Sequence, residues 1–145
     1  MRVAVLNGPN LNLLGDREPE LYGRTTLVEL EQLVRREAAE LGLDLVEWCQ
    51  TNHEGELVDA VQSLAGRADA ALVNAAAYTH TSLALRDSLL AVRIPFVEIH
   101  LTNVFARERE RRRSLIADLA VGVIAGFGPA GYVLGLRALA ERRDR

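Results

Sequence analysis

Short, nearly continuous apolar runs alternate along this chain with longer stretches in which apolar residues recur at helical spacing. The runs have the length and composition of strands buried on both faces, and the longer stretches have the period of helices with one apolar face. We therefore predict strands and helices in alternation. The predicted strands are residues 2–7, 45–49, 70–73, 96–99 and 121–125, and the predicted helices are about residues 26–41, 57–68, 82–90, 107–113 and 131–142.

This alternation predicts an α/β fold in which helices cover both faces of a five-stranded parallel sheet. Because crossovers between parallel strands are right-handed, the flavodoxin-like strand order 2-1-3-4-5 is favoured. The second strand carries Asp44 and Glu47, which suits an edge position. We expect a single domain over residues 1–145, with a loop at 8–24 whose length indicates function or mobility.

Polar or glycine-rich clusters follow four of the five predicted strands. Parallel sheets bind ligands beyond the carboxyl ends of their strands, so these clusters are expected to form one site. Amides and hydroxyls suit a ligand with many hydroxyl groups, although asparagines at such positions are also ordinary turn residues. The clusters are Asn7 and Asn10 with Arg17 and Tyr22 beyond them, Asn74 with residues 79–82, His100 with Thr102 and Asn103, and residues 126–128.

Charge and hydropathy argue against two classes of partner. The net charge of −3 gives no general attraction to nucleic acid. No apolar run reaches the roughly 18–20 residues that a membrane-spanning helix needs. Cys49 is the single cysteine, so no intrachain disulfide forms, and its place in a strand favours a small core side chain over a nucleophile. With no signal region before the first strand, we expect a cytoplasmic protein.

All 17 basic residues are arginine. Without lysine the chain cannot form a Schiff base with a carbonyl substrate or an aldimine with pyridoxal phosphate. The lysine of a nucleotide-binding P-loop is missing for the same reason. Any carbonyl chemistry that this chain performs therefore proceeds without an imine.

Neither a dinucleotide site nor a metal site is predicted. Residues 126–131 fit the pattern G-x-G-x-x-G, but the chain ends 14 residues after Gly131. That length leaves no room for the acidic ribose partner of a dinucleotide fold, so a tight turn between a strand and a helix is favoured. The histidines, at positions 53, 80 and 100, lack the spacing of metal ligands.

Two pairs of residues could carry acid–base chemistry. Glu98 and His100 share one face of a strand, so the carboxylate can hold the imidazole in one tautomer, as in a general acid or base. Tyr22 follows Arg17 in the long loop. A loop tyrosine is usually a packing residue, and it acts as a base only where a cation lowers its pKa, so both interpretations stay open.

Two further candidates also have two interpretations. The segment 107–113 is either a solvated helix with interleaved acids or a site for a substrate anion. Arg107 and Arg111 lie four residues apart, on one face of the predicted helix, and a guanidinium binds a carboxylate through two parallel hydrogen bonds. His80 lies between two threonines at a helix entry, where the threonine hydroxyls could form a cap and His80 could equally contact a ligand.

Six segments of the chain, taken as a set, match one enzyme family in the same order. They are residues 7–15, 17–23, 52–57, 78–82, 98–103 and 126–132, which read NGPNLNLLG, REPELYG, NHEGEL, YTHTS, EIHLTN and GFGPAGY. In these segments the chain resembles the type II 3-dehydroquinate dehydratases. The resemblance implies a flavodoxin-like fold and the reversible dehydration of 3-dehydroquinate to 3-dehydroshikimate in the shikimate pathway, without a metal or cofactor. The type I enzymes use a lysine imine, which this chain cannot make.

The resemblance also implies a role for each catalytic residue. Tyr22 would remove the proton next to the carbonyl, as a tyrosinate favoured by Arg17. Asn10 would help to stabilise the resulting enolate through a bound water. His100, oriented by Glu98, would then protonate the departing hydroxyl, and the elimination would be anti.

Substrate binding and assembly follow from the same resemblance. Asn74 would support the acid, and the loop at about 15–24 would be a lid. Asp87 would reach the site of a neighbouring subunit in a homo-oligomer, a dodecamer built from trimers. The carboxylate and ring hydroxyls would be held by His80, Leu101, Thr102 and Arg111, with Arg107 supporting the same pocket.

Some positions depart from the family pattern, and two other functions are conceivable. The departures are Ala60, Ala76, Arg113, Leu115 and Ala130, none of which removes a proposed catalytic group. An FMN-binding or phosphate-binding module is disfavoured because Asn-Gly-Pro-Asn follows the first strand, where flavodoxins have a Thr/Ser-rich loop. A family member that has lost activity is disfavoured by the intact Arg17, Tyr22 and His100.

Overall fold

Five parallel strands form one sheet in the order β2-β1-β3-β4-β5 in the computed structural model, which describes residues 1–143. This confirms the predicted α/β fold and strand order. Asp144 and Arg145, the end of the predicted domain, lie outside the described residues. The strands are β1 Arg2–Asn7, β2 Asp44–Gln50, β3 Ala70–Asn74, β4 Phe96–His100 and β5 Gly122–Ala125, and the α-helices are α1 Pro19–Tyr22, α2 Leu27–Glu40, α3 Glu54–Ser63, α4 Leu83–Val92 and α5 Ala130–Arg143.

Helices cover both faces of the sheet and enclose two apolar layers. On one face, α2 and α5 pack through Leu30, Val34 and Leu136. On the other face, α3 and α4 pack through residues such as Leu57 and Leu85. The central strands β1, β3 and β4 are therefore buried on both sides, whereas β2, at one edge, is half-buried as its charges predicted.

The predicted start of α2 is confirmed by its capping. The Thr26 hydroxyl accepts from the Glu29 backbone N–H at 3.2 Å, and the Glu29 carboxylate accepts from the Thr26 N–H at 3.1 Å. This reciprocal pair satisfies two backbone donors that a helix start otherwise leaves free. None of the helices in residues 1–143 is long and apolar enough to cross a membrane.

The predicted helix over 107–113 is wrong. In its place lie two one-turn 3₁₀ helices, Val104–Ala106 and Arg109–Arg111, separated by extended backbone at Arg107. Residues 107–113 contain no apolar side chain that could pack against the core, and a short helix is not stable on its own in water. Arg107 and Arg111 therefore do not share the face of an α-helix.

The ends of β1 and β3 approach closely before the chain diverges into loops. The Gly8 N–H donates to the Asn74 carbonyl at 2.8 Å, and a Cβ on Gly8 would lie 2.3 Å from the Ala75 carbonyl oxygen. Only glycine fits this contact. Beyond it, the predicted long loop contains a 3₁₀ turn at Leu11–Leu13 and the one-turn helix α1. A crevice opens where the loops that follow β1 and β3 separate.

Candidate active site

One cavity lies beyond the carboxyl ends of β1, β3 and β4. Nearly all the predicted site residues line it, including those from the connection between β1 and α2 and from the connection between β4 and β5. The exceptions are Glu98, which is buried behind His100, and Asp87, which is exposed on α4 and does not line the cavity. The predicted residues that line the cavity are Asn10, Arg17, Tyr22, Asn74, His80, His100, Leu101, Thr102, Arg107 and Arg111.

His100 ends β4 in a buried pair with Glu98. The His100 Nε2 lies 2.5 Å from Glu98 Oε1, and the Ser114 hydroxyl donates to the other carboxylate oxygen at 3.0 Å. Because the carboxylate accepts the Nε2 proton, Nδ1 is the ring nitrogen left for a ligand. Sequence reasoning missed Ser114. Its position after the arginine run carries no motif, although it also caps the following turn at Ile116 and Ala117.

His80 lies beside His100, with ring centroids 6.2 Å apart and planes 17° from parallel. Its Nδ1 lies 2.7 Å from the Arg113 carbonyl, so Nδ1 carries a proton and Nε2 is an acceptor in the neutral ring. Burial lowers the pKa of this imidazole, and the neighbouring His100 and Arg111 act in the same direction. The cap of α4 is instead Ser82, which accepts from the Leu85 N–H at 2.9 Å.

Tyr22 is flanked by two guanidinium groups. Arg107 Nη1 donates to the phenol oxygen at 2.9 Å. The Arg17 guanidinium carbon lies 4.9 Å from the ring centroid, and that of Arg107 lies 5.5 Å away. The sequence singled out Arg17 as the cation beside this tyrosine, but the residue that bonds the oxygen is Arg107. No local spacing could show this, because the two residues are 85 positions apart.

Two asparagines occupy special backbone positions at the cavity. Asn10 has φ 67°, in the left-handed region that asparagine tolerates, and its exposed side chain lines the cavity. Asn74 ends β3, where its side-chain Oδ1 accepts from the Ala76 N–H at 3.2 Å and its side-chain Nδ2 donates to the Tyr132 hydroxyl at 2.8 Å. Ala76 itself is left-handed at φ 50°, a conformation that costs a non-glycine residue about 1–2 kcal/mol.

The remaining lining residues add positive charge. Arg111 Nε lies 2.5 Å from a carboxylate oxygen of the exposed Glu108, and Arg107 also reaches the Thr102 hydroxyl at 3.5 Å. Three guanidinium groups therefore line the cavity, whereas the predicted carboxylates Glu98 and Asp87 do not line it. Such a surface attracts anions. Within residues 1–143, no three His, Cys, Asp or Glu side chains cluster as metal ligands do.

Comparisons with known proteins agree with this geometry. The family model described as Dehydroquinase class II matches residues 1–140. A 3-dehydroquinate dehydratase of Azorhizobium caulinodans is 56% identical over 97% of this chain and 95% of its own length, and one from a Synechococcus species is 52% identical over 100% and 99%. The crystal structure of the type II dehydroquinase from Propionibacterium acnes superposes with a TM-score of 0.91 at 38% identity, covering 97% of this chain and 96% of that one. The chain therefore belongs to the class II dehydroquinase family.

Proposed function

We propose that this chain catalyses the reversible dehydration of 3-dehydroquinate to 3-dehydroshikimate, a step of the shikimate pathway. One observation carries the proposal: the Tyr22 hydroxyl, bonded by Arg107, faces the same cavity as the buried His100–Glu98 pair. A base and an acid that reach one ligand from two elements are what a β-elimination requires. The curated relatives named 3-dehydroquinate dehydratase support the choice of substrate.

The first step in this proposal is proton removal by Tyr22. A guanidinium beside a phenol stabilises the phenolate, and Arg17 and Arg107 flank this ring on the cavity side. The phenolate takes a proton from the carbon next to the ketone, and the electron pair moves into an enolate. Donors placed at the developing oxyanion lower the barrier, and Asn10 acts there through a bound water. No imine is formed, because the chain has no lysine.

The second step is loss of water, assisted by His100. The imidazolium gives its proton to the departing hydroxyl on the opposite face of the ring, and the enolate pair forms the new double bond. Glu98 stabilises the imidazolium and holds the ring, while Asn74 supports it from the end of β3. The proton now on Tyr22 returns to the acid through solvent, which restores both groups.

Binding is assigned to the remaining lining residues. Arg111 holds the substrate carboxylate, assisted by Arg107. The ring hydroxyls are held by His80 Nε2, the Thr102 hydroxyl and the backbone of Leu101. The loop at 15–24 acts as a lid that delivers Arg17 and Tyr22 and excludes water.

The family implies a small-molecule substrate and a homo-oligomer, and we propose a dodecamer built from four trimers, located in the cytoplasm. Asp87 would complete the site of a neighbouring subunit. The position of Asp87 supports this proposal, since the residue is exposed on α4 and does not line the cavity of its own subunit. The reducing compartment suits a chain whose one cysteine forms no intrachain disulfide.

Proton NMR tests the reaction directly. The protein is dialysed against EDTA and incubated with 3-dehydroquinate. We expect the vinyl proton signal of 3-dehydroshikimate to appear as a methylene signal of the substrate declines. Unchanged substrate in the presence of folded protein would refute the proposed activity.

A further inference from the structure

Three buried side chains form a chain of hydrogen bonds behind the cavity. Tyr132, on the first turn of α5, is fully buried and donates its hydroxyl proton to Asn7 Oδ1 at 2.6 Å. The Tyr132 hydroxyl oxygen in turn accepts from Asn74 Nδ2 at 2.8 Å. Asn7 and Asn74 end adjacent strands, and of the three only Asn74 lines the cavity. These hydrogen bonds therefore link the core of the protein to the candidate site.

A backbone group fixes the direction of these bonds. The Ala76 N–H donates to Asn74 Oδ1 at 3.2 Å, which leaves Asn74 Nδ2 to face Tyr132. In the reverse direction the Tyr132 hydroxyl would donate to Asn74 Oδ1, and the Asn74 amide would turn its N–H₂ toward the Ala76 N–H. Two donors would then face each other without an acceptor. Only the observed direction satisfies the groups at Asn74.

The phenol of Tyr132 stays protonated at every physiological pH, because burial raises its pKa well above the ordinary value. The single hydroxyl proton of Tyr132 is donated to Asn7, so toward Asn74 the hydroxyl oxygen can only accept a hydrogen bond. Asn7 Nδ2 is buried and has no partner among the residues described. A buried donor without an acceptor reduces stability, so folding alone does not account for this cluster.

We propose that Tyr132 is a positioning residue for the reaction, which fixes the orientation of the Asn74 carboxamide so that its second N–H is presented to a substrate oxygen. This inference rests on the proposed function, because it assumes a substrate in the cavity. Tyr132 does not line the cavity, and it acts only through Asn74.

A double-mutant cycle tests the inference. Tyr132→Phe keeps the buried ring and removes the oxygen that holds Asn74. We expect kcat/KM to fall about tenfold, as for the loss of one hydrogen bond to a reacting complex. In an Asn74→Ala background the same substitution should have no further effect, because the amide that it orients is gone. Tyr78→Phe is the matched control, since Tyr78 bonds the Asn52 carbonyl outside the cavity, and its kcat/KM should stay at the wild-type value.

Equal losses of kcat/KM from Tyr132→Phe in the wild-type and Asn74→Ala backgrounds would show a merely structural role and overturn the inference. An unchanged kcat/KM in the Tyr132→Phe single variant would also overturn it. Should Tyr132→Phe fail to fold, Asn7→Ser replaces it. That variant frees the Tyr132 proton to turn toward Asn74, and its loss of kcat/KM should likewise vanish in the Asn74→Ala background.

Failure of the proposed function is a separate result, recognised by a wild-type protein that does not convert 3-dehydroquinate. Crystal structures of the wild type and Tyr132→Phe then decide the inference. A rotated Asn74 carboxamide in the variant supports it, and an unmoved carboxamide refutes it.

Discussion

At the scale of single residues, the proposed chemistry depends on a tyrosine that two arginines flank and a histidine that a buried carboxylate holds. Arg107 bonds the Tyr22 oxygen at 2.9 Å, while Arg17 lies against the ring face. The two arginines therefore contact different parts of Tyr22. Donation to the oxygen is the stronger contact, because a charge-assisted hydrogen bond adds to the Coulomb attraction.

Replacing Tyr22 by phenylalanine should abolish catalysis and spare binding. The substitution removes only the oxygen that takes the proton, and a general base contributes about a hundredfold to ten-thousandfold in rate. Turnover is measured by absorbance, and binding of 3-dehydroshikimate by calorimetry. Tyr78→Phe serves as the control, because it loses a hydroxyl outside the cavity. Wild-type turnover in Tyr22→Phe would exclude this residue as the base.

Replacing Arg107 by glutamine should lower kcat/KM about tenfold to a hundredfold, because the variant loses the charged donor that bonds the Tyr22 oxygen. Arg17→Gln should lower kcat/KM less, since Arg17 contacts the ring rather than the oxygen. Steady-state kinetics with 3-dehydroquinate measures both variants. The opposite ranking would assign the main effect to Arg17.

Sequence reasoning predicted many of the residues that line the cavity, and several of them could be recognised because they follow buried strands. His100 and Asn74 are examples, since an apolar run that ends in a polar residue is visible in the chain itself. The contact between Arg107 and Tyr22 was not predictable from spacing, because it joins two loops that the fold brings together. The roles of Ser114 and Tyr132 were missed for the same reason.

At the scale of elements, the sheet positions the site through the close contact between the ends of β1 and β3. The edge position of β2 was predictable because Asp44 and Glu47 mark it, whereas β5, at the other edge, has no charged residue to mark its position. The segment 107–113 was predicted wrongly, since charge spacing alone cannot stabilise a helix without an apolar face. The bonds of Arg107 to Tyr22 and Thr102 hold that segment at the cavity instead.

Gly8→Ala should disrupt the contact at the end of β1. The added Cβ would lie 2.3 Å from the Ala75 carbonyl oxygen, so β1 and β3 must separate. We expect a loss of about 1–3 kcal/mol in the free energy of unfolding, with a fall in kcat/KM because Asn10 moves with the loop. Urea denaturation and steady-state kinetics measure the two effects.

Gly55→Ala is the matched control for that variant. Gly55 lies in α3 with no atom within 4 Å of an added Cβ, so alanine should stabilise the helix by up to about 1 kcal/mol. A Gly8→Ala protein as stable and active as this control would show that the close contact is not required.

At the scale of the whole molecule, the protein is a lysine-free chain whose cavity concentrates arginines although the net charge is −3. Asp87 is the one proposed substrate contact that the single chain leaves outside the cavity. A neighbouring copy is needed to bring it there. The assembly would then be part of the catalytic unit rather than only a source of stability.

Mixing subunits tests that idea. Tyr22→Phe and Asp87→Ala should each be nearly inactive alone. After the two variants are dissociated, mixed equally and reassembled, about a quarter of the sites should combine an intact Tyr22 with an intact Asp87 from the neighbour. Recovered activity near that fraction supports a shared site. An inactive mixture whose hybrid assembly is verified by native mass spectrometry would place Asp87 outside the neighbouring site.

The most direct test of the central claim is the ultraviolet absorbance of the purified protein mixed with 3-dehydroquinate, without metal or cofactor, before and after borohydride treatment in the presence of substrate. The account predicts growth of the conjugated enone band at the same rate in both samples, because no imine exists for borohydride to reduce. Inactivation by borohydride, or a flat trace from folded and assembled protein, would contradict dehydration through Tyr22 and His100.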